Sequence, residues 1–258
     1  PVISFKHSAS VRRYTYRMRN MSRLWVGDSQ TVEHFLREEM HIPPQQVLVW
    51  PLFQGCPDFP RARPWDGQSV LQIGSVGRLH EVKNYAGLLD ALAAFLQNHP
   101  QLRSRLHFTI LGDGPEREAL EAQIARLALS DVVSLPGFSA DVASFLSGLH
   151  VYIQTSRYEG MCLAVHEAMN AALPVIATPV GEIRDAVTDG ETGYVLNGDL
   201  NEALTGVLER IFASPQQLEG LGEQARHYVL NKFSRERYTQ AAATILDRLS
   251  ENLHTKRT

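Results

Sequence analysis

The stretch Leu106-His-Phe-Thr-Ile-Leu111-Gly-Asp-Gly-Pro115-Glu-Arg-Glu-Ala-Leu120 decides the fold. Six residues, apolar except for His107 and Thr109, run into a glycine pair, and a proline follows where a helix would begin. A strand over Leu106–Leu111 turning sharply into a helix over Glu116–Leu129 is the repeating unit of a parallel α/β sheet. The alternation extends in both directions. Upstream lie a strand over Val70–Val76 and a helix over Asn84–Asn98. Downstream, strands over Val132–Leu135, Val151–Gln154, Val175–Thr178 and Gly193–Leu196 alternate with helices over Val142–Leu149, Leu163–Ala171 and Glu182–Val187. Helices over Asn201–Phe212, Gln216–Leu230 and Arg235–Leu249 close the series. The pattern predicts a parallel sheet covered on both faces, with ligands bound outside the carboxyl ends of its strands.

The segment before this unit reads differently. Strands are predicted over Pro1–His7, Leu24–Gly27 and Val47–Trp50, with a helix from Ser29 to Met40 capped by Ser29 or Thr31. Residues 54–68 carry Gly55, Pro57, Pro60, Pro64 and Gly67 with little periodicity, which marks a linker and the best domain boundary. The chain opens directly on a core-like strand, so a fragment of a longer protein is expected.

The 258 residues allow one large domain or two small ones, and 44% hydrophobic with 21% charged residues is an ordinary globular composition. No apolar run is long enough for a membrane span and no signal-peptide pattern opens the chain. Two distant cysteines, Cys56 and Cys162, argue against a disulfide framework or zinc cluster and for a reducing compartment. A net charge of -3 argues against a dedicated nucleic-acid binder. The charge is unevenly spread: Lys6, Arg12, Arg13, Arg17 and Arg19 precede the first acid, Asp28. Such a run suits anionic lipid or a phosphorylated acceptor, and equally a solvated helix face neutralised from elsewhere.

Chemistry-bearing residues stand just after the strands. In Gly74-Ser-Val-Gly77-Arg78-Leu79-His80-Glu81-Val82-Lys83-Asn84, two cations five residues apart sit on a glycine-bearing loop that enters a helix. This arrangement suits a diphosphate, because glycine admits backbone to the anion and a helix N-terminus adds positive potential. On spacing alone, Arg78 and Lys83 also read as surface charges. Gly112 and Gly114 begin a dinucleotide fingerprint, but Arg117 occupies its third glycine position, so a nicotinamide cofactor is discounted and the glycines read as close-approach points. In Thr155-Ser-Arg-Tyr-Glu159-Gly160-Met161-Cys162-Leu163-Ala-Val-His-Glu167-Ala-Met169, one helix carrying both acids would separate them by about 12 Å. Glu159 is therefore placed in the loop, facing neutral hydroxyls, and Glu167 in the helix, able to accept from a ribose diol. A capping acid and a solvated helix acid fit the same spacing.

In order along the chain stand Gly77-Arg78-Leu79 with Lys83-Asn84, Leu111-Gly-Asp-Gly-Pro115, Leu135-Pro-Gly137 and Ser156 with Glu159-Gly160. Glu167-Ala-Met169, Pro174-Val-Ile-Ala177 and Asp189-Gly-Glu-Thr-Gly193 follow. Together they resemble the donor half of family 4 of the retaining glycosyltransferases, over essentially all of residues 70–250. The resemblance implies an α/β protein of the GT-B type, with a complete C-terminal Rossmann-like domain and a partial N-terminal one. It implies a partial acceptor domain over 1–53, a linker over 54–68, a donor domain over 69–231, and a terminal helix in 232–258 packing back toward the acceptor half. The implied activity is metal-independent, retaining transfer of a hexosyl group from a nucleotide-diphosphate sugar to a glycan or lipid-linked acceptor. No further cofactor is implied, and the setting is cytoplasmic, with peripheral contact to anionic membrane. A nucleotide-binding but catalytically incomplete module and a sugar-nucleotide epimerase of the same fold are the alternatives.

The resemblance also assigns roles by position. Arg78 and Lys83, with Gly77, would balance the donor diphosphate. Glu159 would orient the transferred sugar with backbone N–H groups of Gly160, Met161, Cys162 and Leu163. Glu167 would hold the ribose. The loop Pro136–Asp141, with Gly137 and Phe138, would cradle the base. His7, at the end of the first strand, would lie near the reacting sugar. Two departures stand out: Ala172 replaces a customary glycine, with about 1 kcal/mol of strain if that position is left-handed, and Met161-Cys162 replaces commoner Phe and Gly. Cys162 is expected to be a small buried thiol rather than a nucleophile. The 258 residues are expected to bind nucleotide diphosphate while transferring sugar poorly or not at all.

Overall fold

The computed structural model describes residues 3–7 and 21–254, with side chains through residue 250. Arg12, Arg13, Arg17 and Arg19 of the basic run, and Pro1 and Val2 of the first strand, lie outside the described residues.

Strands β4 (Leu71–Val76), β5 (Leu106–Leu111), β6 (Val133–Gly137), β7 (Val151–Gln154), β8 (Val175–Ala177) and β9 (Gly193–Val195) form one parallel sheet in the order β6-β5-β4-β7-β8-β9. The chain builds outward from β4 to one edge, then returns beside β4 and builds to the other. The reversal leaves a crevice at the carboxyl ends of β4 and β7, where such sheets bind ligands. Pairing between these strands stops at Gly74 and Tyr152, so they splay beyond that point.

Alternate residues of the strands feed two apolar layers. Val151, Ile153 and Ile176 face helices α2 (Tyr85–Asn98), α3 (Arg117–Arg126) and α7 (Leu200–Ala213). Tyr152, Val175 and Ala177 face α4 (Val142–Ser147), α5 (Leu163–Asn170), α6 (Ile183–Ala186) and α8 (Gln217–Lys232). The predicted strand and helix order is the observed one. Boundaries differ where backbone geometry intervenes. The second helix starts at Tyr85 because Asn84 is left-handed (φ 56°), and 3-10 turns over Glu81–Lys83 and Pro100–Arg105 were not legible in the periodicity.

A second parallel sheet comprises β1 (Ile3–Lys6), β2 (Leu24–Gly27) and β3 (Val47–Val49), in that order. Between β2 and β3 runs α1 (Gln30–Glu38), where the Ser29 hydroxyl accepts from Val32 N–H as the N-cap. Its Val32, Phe35 and Leu36 pack on Trp25 and Val47. The first strand departs from its predicted burial: β1 is an edge strand and Phe5 is exposed. Lys6 also departs from a solvated role. It is buried, with its ammonium 5.1 Å from the centre of the Phe35 ring.

Residues 50–70 form no helix or strand, yet they are packed rather than loose. Trp65 is buried in the main core, Ala62 N–H donates to Ala171 O, and Gly55 N–H to Phe233 O. The terminal helix α9 (Arg235–His254) crosses back to the small sheet, where Ile245 packs with Leu24 and Val26. Tyr238 meets Trp50 at 5.3 Å between ring centres.

Candidate functional site

The loop after β4 and the loop after β7 face each other across the crevice and are laced together. Arg157 N–H donates to Val82 O at 2.8 Å, and the Thr155 hydroxyl donates to Lys83 O at 3.2 Å. At the centre, Lys83 Nζ lies 2.7 Å from Glu159 Oε1. The pair is largely shielded, with exposures of 20% and 11%, and Ser156 Oγ donates to the same carboxylate oxygen at 2.6 Å. The ammonium retains further N–H donors for a ligand. Arg78 is exposed and, among the described residues, has no hydrogen-bond or ion-pair partner. It opens onto a cleft of about 410 Å³ lined also by Gly77, Gly112, Asp113, Phe138, Ser139 and Val142. A larger open groove of about 680 Å³ along α8 is lined by Arg61, Glu223, His227 and Arg237, and by Glu191 and Thr192 of the Asp189–Gly193 motif.

The glycines earn their positions by proximity. A Cβ on Gly112 would strike Gly77 O, and one on Gly114 would strike Leu79 O, so both are close-approach points toward the neighbouring loop. Arg117 is a staple: its guanidinium donates to Gly112 O and Leu135 O, tying the ends of β5 and β6. Gly137 is left-handed (φ 97°) and turns the chain so that Phe138 projects, 79% exposed, at the mouth of the cleft. Asp141 caps α4 by accepting from Ser144 N–H, which puts the acid on a structural task.

Glu159 lies in the loop and Glu167 within α5, as the spacing argument requires. Cys162 occupies the N-cap position of α5 without capping it, so the first N–H groups, near Leu163, are left for a ligand. Its thiol is buried and burial pushes its pKa up to about 12, so at neutral pH it is a packing group rather than a nucleophile. Met161 is partly buried against the same layer. Glu167 is half-buried, and burial holds its carboxyl above the usual range. Gly181, left-handed at φ 54°, sits so close that a Cβ would strike Glu159 O and Gly160 O, and Glu182 N–H donates to Gly160 O at 3.0 Å.

His7 stands at the end of β1, with Nδ1 3.1 Å from Asp28 Oδ2 at the end of β2. The imidazole is exposed and the carboxylate buried, so Asp28 orients the ring. No described contact joins His7 to Arg78, Lys83 or Glu159. The two sheets meet nearby through the Thr31 hydroxyl, which donates to Glu182 Oε2 at 3.3 Å. Asp28, Gln154 and Gly181 were not singled out from the sequence. For Gln154 a signal existed: Tyr152, Gln154 and Ser156 alternate along one face of an otherwise apolar strand.

A doubly wound parallel sheet, faced by a second parallel sheet and recrossed by the helix α9, is the α/β architecture of GT-B proteins. A family model, "Glycosyl transferases group 1", matches residues 67–228. The D-inositol 3-phosphate glycosyltransferase of Streptomyces coelicolor is 32% identical over 195 residues, which are 72% of this chain and 42% of that protein. The Vi polysaccharide biosynthesis protein VipC/TviE of Salmonella typhi is 29% identical over 168 residues, 64% of this chain and 28% of that protein. Among solved structures, Anabaena HepE in complex with UDP superposes with a TM-score of 0.82 at 20% identity, covering 96% of this chain and 72% of that one. This chain therefore belongs to the group 1 glycosyltransferase family. It spans less than half the length of either of these two curated relatives.

Proposed function

We propose that the crevice between β4 and β7 binds a nucleotide-diphosphate sugar, and that the protein transfers the sugar with retention to a glycan or lipid-linked acceptor. The observation that carries this is the shielded Lys83–Glu159 pair beside the open, unpartnered Arg78. Arg78, Lys83 and the N-terminus of α5 would receive the diphosphate and stabilise the charge it gains as the glycosyl bond breaks. Glu159 would hold hydroxyls of the transferred sugar, Glu167 the ribose diol, and the backbone of Pro136–Asp141 the base. His7, oriented by Asp28, would face the acceptor side. That UDP and UDP-glucose occupy HepE structures supports the donor class.

The reading needs no metal: the sequence has no Asp-x-Asp pair to bridge a diphosphate, and Arg78 and Lys83 supply compensating charge. Activity abolished by EDTA and restored by manganese would contradict it. Thermal shift with UDP, GDP and ADP tests the site itself. One of them should raise the melting temperature of the 258-residue chain, and Arg78→Ala should reduce that shift. No shift with any of the three would refute the assignment. NMR of the product's anomeric proton tests retention. An inverted anomer would instead make His7, held by Asp28, the base that activates the acceptor.

A further inference from the structure

Behind Glu159 runs a buried line of polar groups that the apolar layer around it does not require. Beyond Gly74 the splayed strands leave Val76 N–H without a ladder partner, and the Tyr152 hydroxyl takes it at 3.2 Å. That hydroxyl donates to Gln154 Oε1 at 2.9 Å, with Val76 O a longer alternative acceptor at 3.3 Å. Gln154 Nε2 donates to Ser156 Oγ at 2.7 Å, and Ser156 Oγ donates to Glu159 Oε1 at 2.6 Å. Tyr152, Gln154 and Ser156 are each almost fully buried. With the hydroxyl proton on Gln154 Oε1, the shorter of its two contacts, the donors run from a fixed backbone N–H toward the carboxylate. Such chains polarise cooperatively, and they persist in a core only when every member is satisfied. The Gln154 amide is engaged at both ends, and turning it over would draw the Ser156 hydroxyl proton away from Glu159.

We infer that Gln154 and Ser156 are positioning residues. They pin one oxygen of Glu159, so that its other oxygen is presented rigidly to the hydroxyls of the transferred sugar. The inference rests on the proposed donor site and adds to it the groups that make Glu159 selective for a sugar over a bare nucleotide. It also links the diphosphate loop to the sugar carboxylate, since the line begins one residue before Gly77. Lys83 completes the arrangement by closing on the same oxygen from the opposite loop.

The prediction is a split that mere loss of structure would not produce. Calorimetry on the full 258-residue chain would compare a nucleotide diphosphate with its sugar conjugate, using whichever of the UDP/UDP-glucose, GDP/GDP-mannose and ADP/ADP-glucose pairs the wild type binds. Ser156→Ala should weaken the sugar conjugate about tenfold, as loss of a hydrogen bond to a charged group implies. It should leave the free diphosphate within about twofold. Ser156→Thr, which keeps the hydroxyl, should restore the difference. Tyr152→Phe removes only the first hydroxyl and should give a smaller loss of the same kind. If Gln154→Leu unfolds the chain, the two hydroxyl variants still decide. Wild-type discrimination retained in Ser156→Ala, or equal loss of both ligands, overturns the positioning role while leaving the donor site in place. A wild type that binds no pair overturns both readings.

Discussion

Arg78 and Lys83 differ in what surrounds them, and the difference predicts different phenotypes. Arg78 stands open to the cleft, whereas Lys83 is shared with Glu159. Arg78→Ala should lower turnover about 100- to 1000-fold, the usual loss for one preorganised donor to a developing charge. Diphosphate affinity should fall less, because the charge grows only as the bond breaks. Calorimetry on the 258-residue chain would read the affinity, and steady-state kinetics on a chain that carries a whole acceptor half would read the turnover. Glu167 offers a trade. Burial raises its carboxyl, so the folded state binds its proton more tightly than the unfolded chain does. The resulting penalty is absent below the unfolded value and complete above the raised one. Glu167→Gln should therefore stabilise the fold near neutral pH while weakening nucleotide binding, readable as a higher melting temperature with a poorer dissociation constant. His166 has the opposite sign. Tilted against Phe233 with 4.4 Å between ring centres, it is held neutral by burial, its pKa lowered to about 4. The unfolded chain takes up its proton below the usual 6.5, so stability should fall between about pH 6.5 and 4, by an amount on the order of 3 kcal/mol. In His166→Phe, urea midpoints should lose that part of their pH dependence.

At the scale of elements, α5 shows what a sequence can and cannot disclose. Its end was legible: Ala172 is left-handed at φ 60°, Leu173 N–H bonds Ala168 O, and Ala172 N–H bonds Met169 O, completing a Schellman turn. Ala172→Gly should stabilise the protein by up to about 1 kcal/mol, since relief of left-handed strain outweighs the added freedom of the unfolded chain. Chemical denaturation would show it. Gly222 of α8 packs against that same turn, where a Cβ would strike Ala172 O, so Gly222→Ala should destabilise. The alternation of strands and helices along the chain, the glycine loops and the placement of Glu159 in a loop and Glu167 in a helix followed from periodicity and from residue types at strand ends. The Lys83–Glu159 contact did not, because 76 residues separate the partners and only the order of strands in the sheet brings them together. Asn84 hid the start of α2 for a local reason: a left-handed cap has no periodic signature. The exposure of Phe5 was invisible too, because an apolar strand reads alike at the centre and the edge of a sheet.

Across the whole molecule, the small sheet depends on both early and late parts of the chain. Its inner face, Leu24 and Val26, is covered by Ile245 of α9. Ile245→Ala should cost roughly 2–4 kcal/mol, as truncation of a buried aliphatic usually does. Amide exchange should accelerate in β1–β3 while the six-stranded sheet stays protected, because the two sheets draw on separate apolar clusters. Among the described residues no helix is long and apolar enough to cross a membrane. The crossing of α9 has a further consequence on the ribosome. β3 ends at Val49 and α9 begins at Arg235, so at 5–20 residues per second some tens of seconds of translation, at most, separate the sheet from its cover. During that interval Leu24 and Val26 emerge without their partner, while the strands of the larger sheet, which end at Val195, are all made before α9 begins. A chain stalled at Lys232 should therefore be cut by protease within residues 21–50, and one stalled past Leu249, with α9 clear of the exit tunnel, should resist.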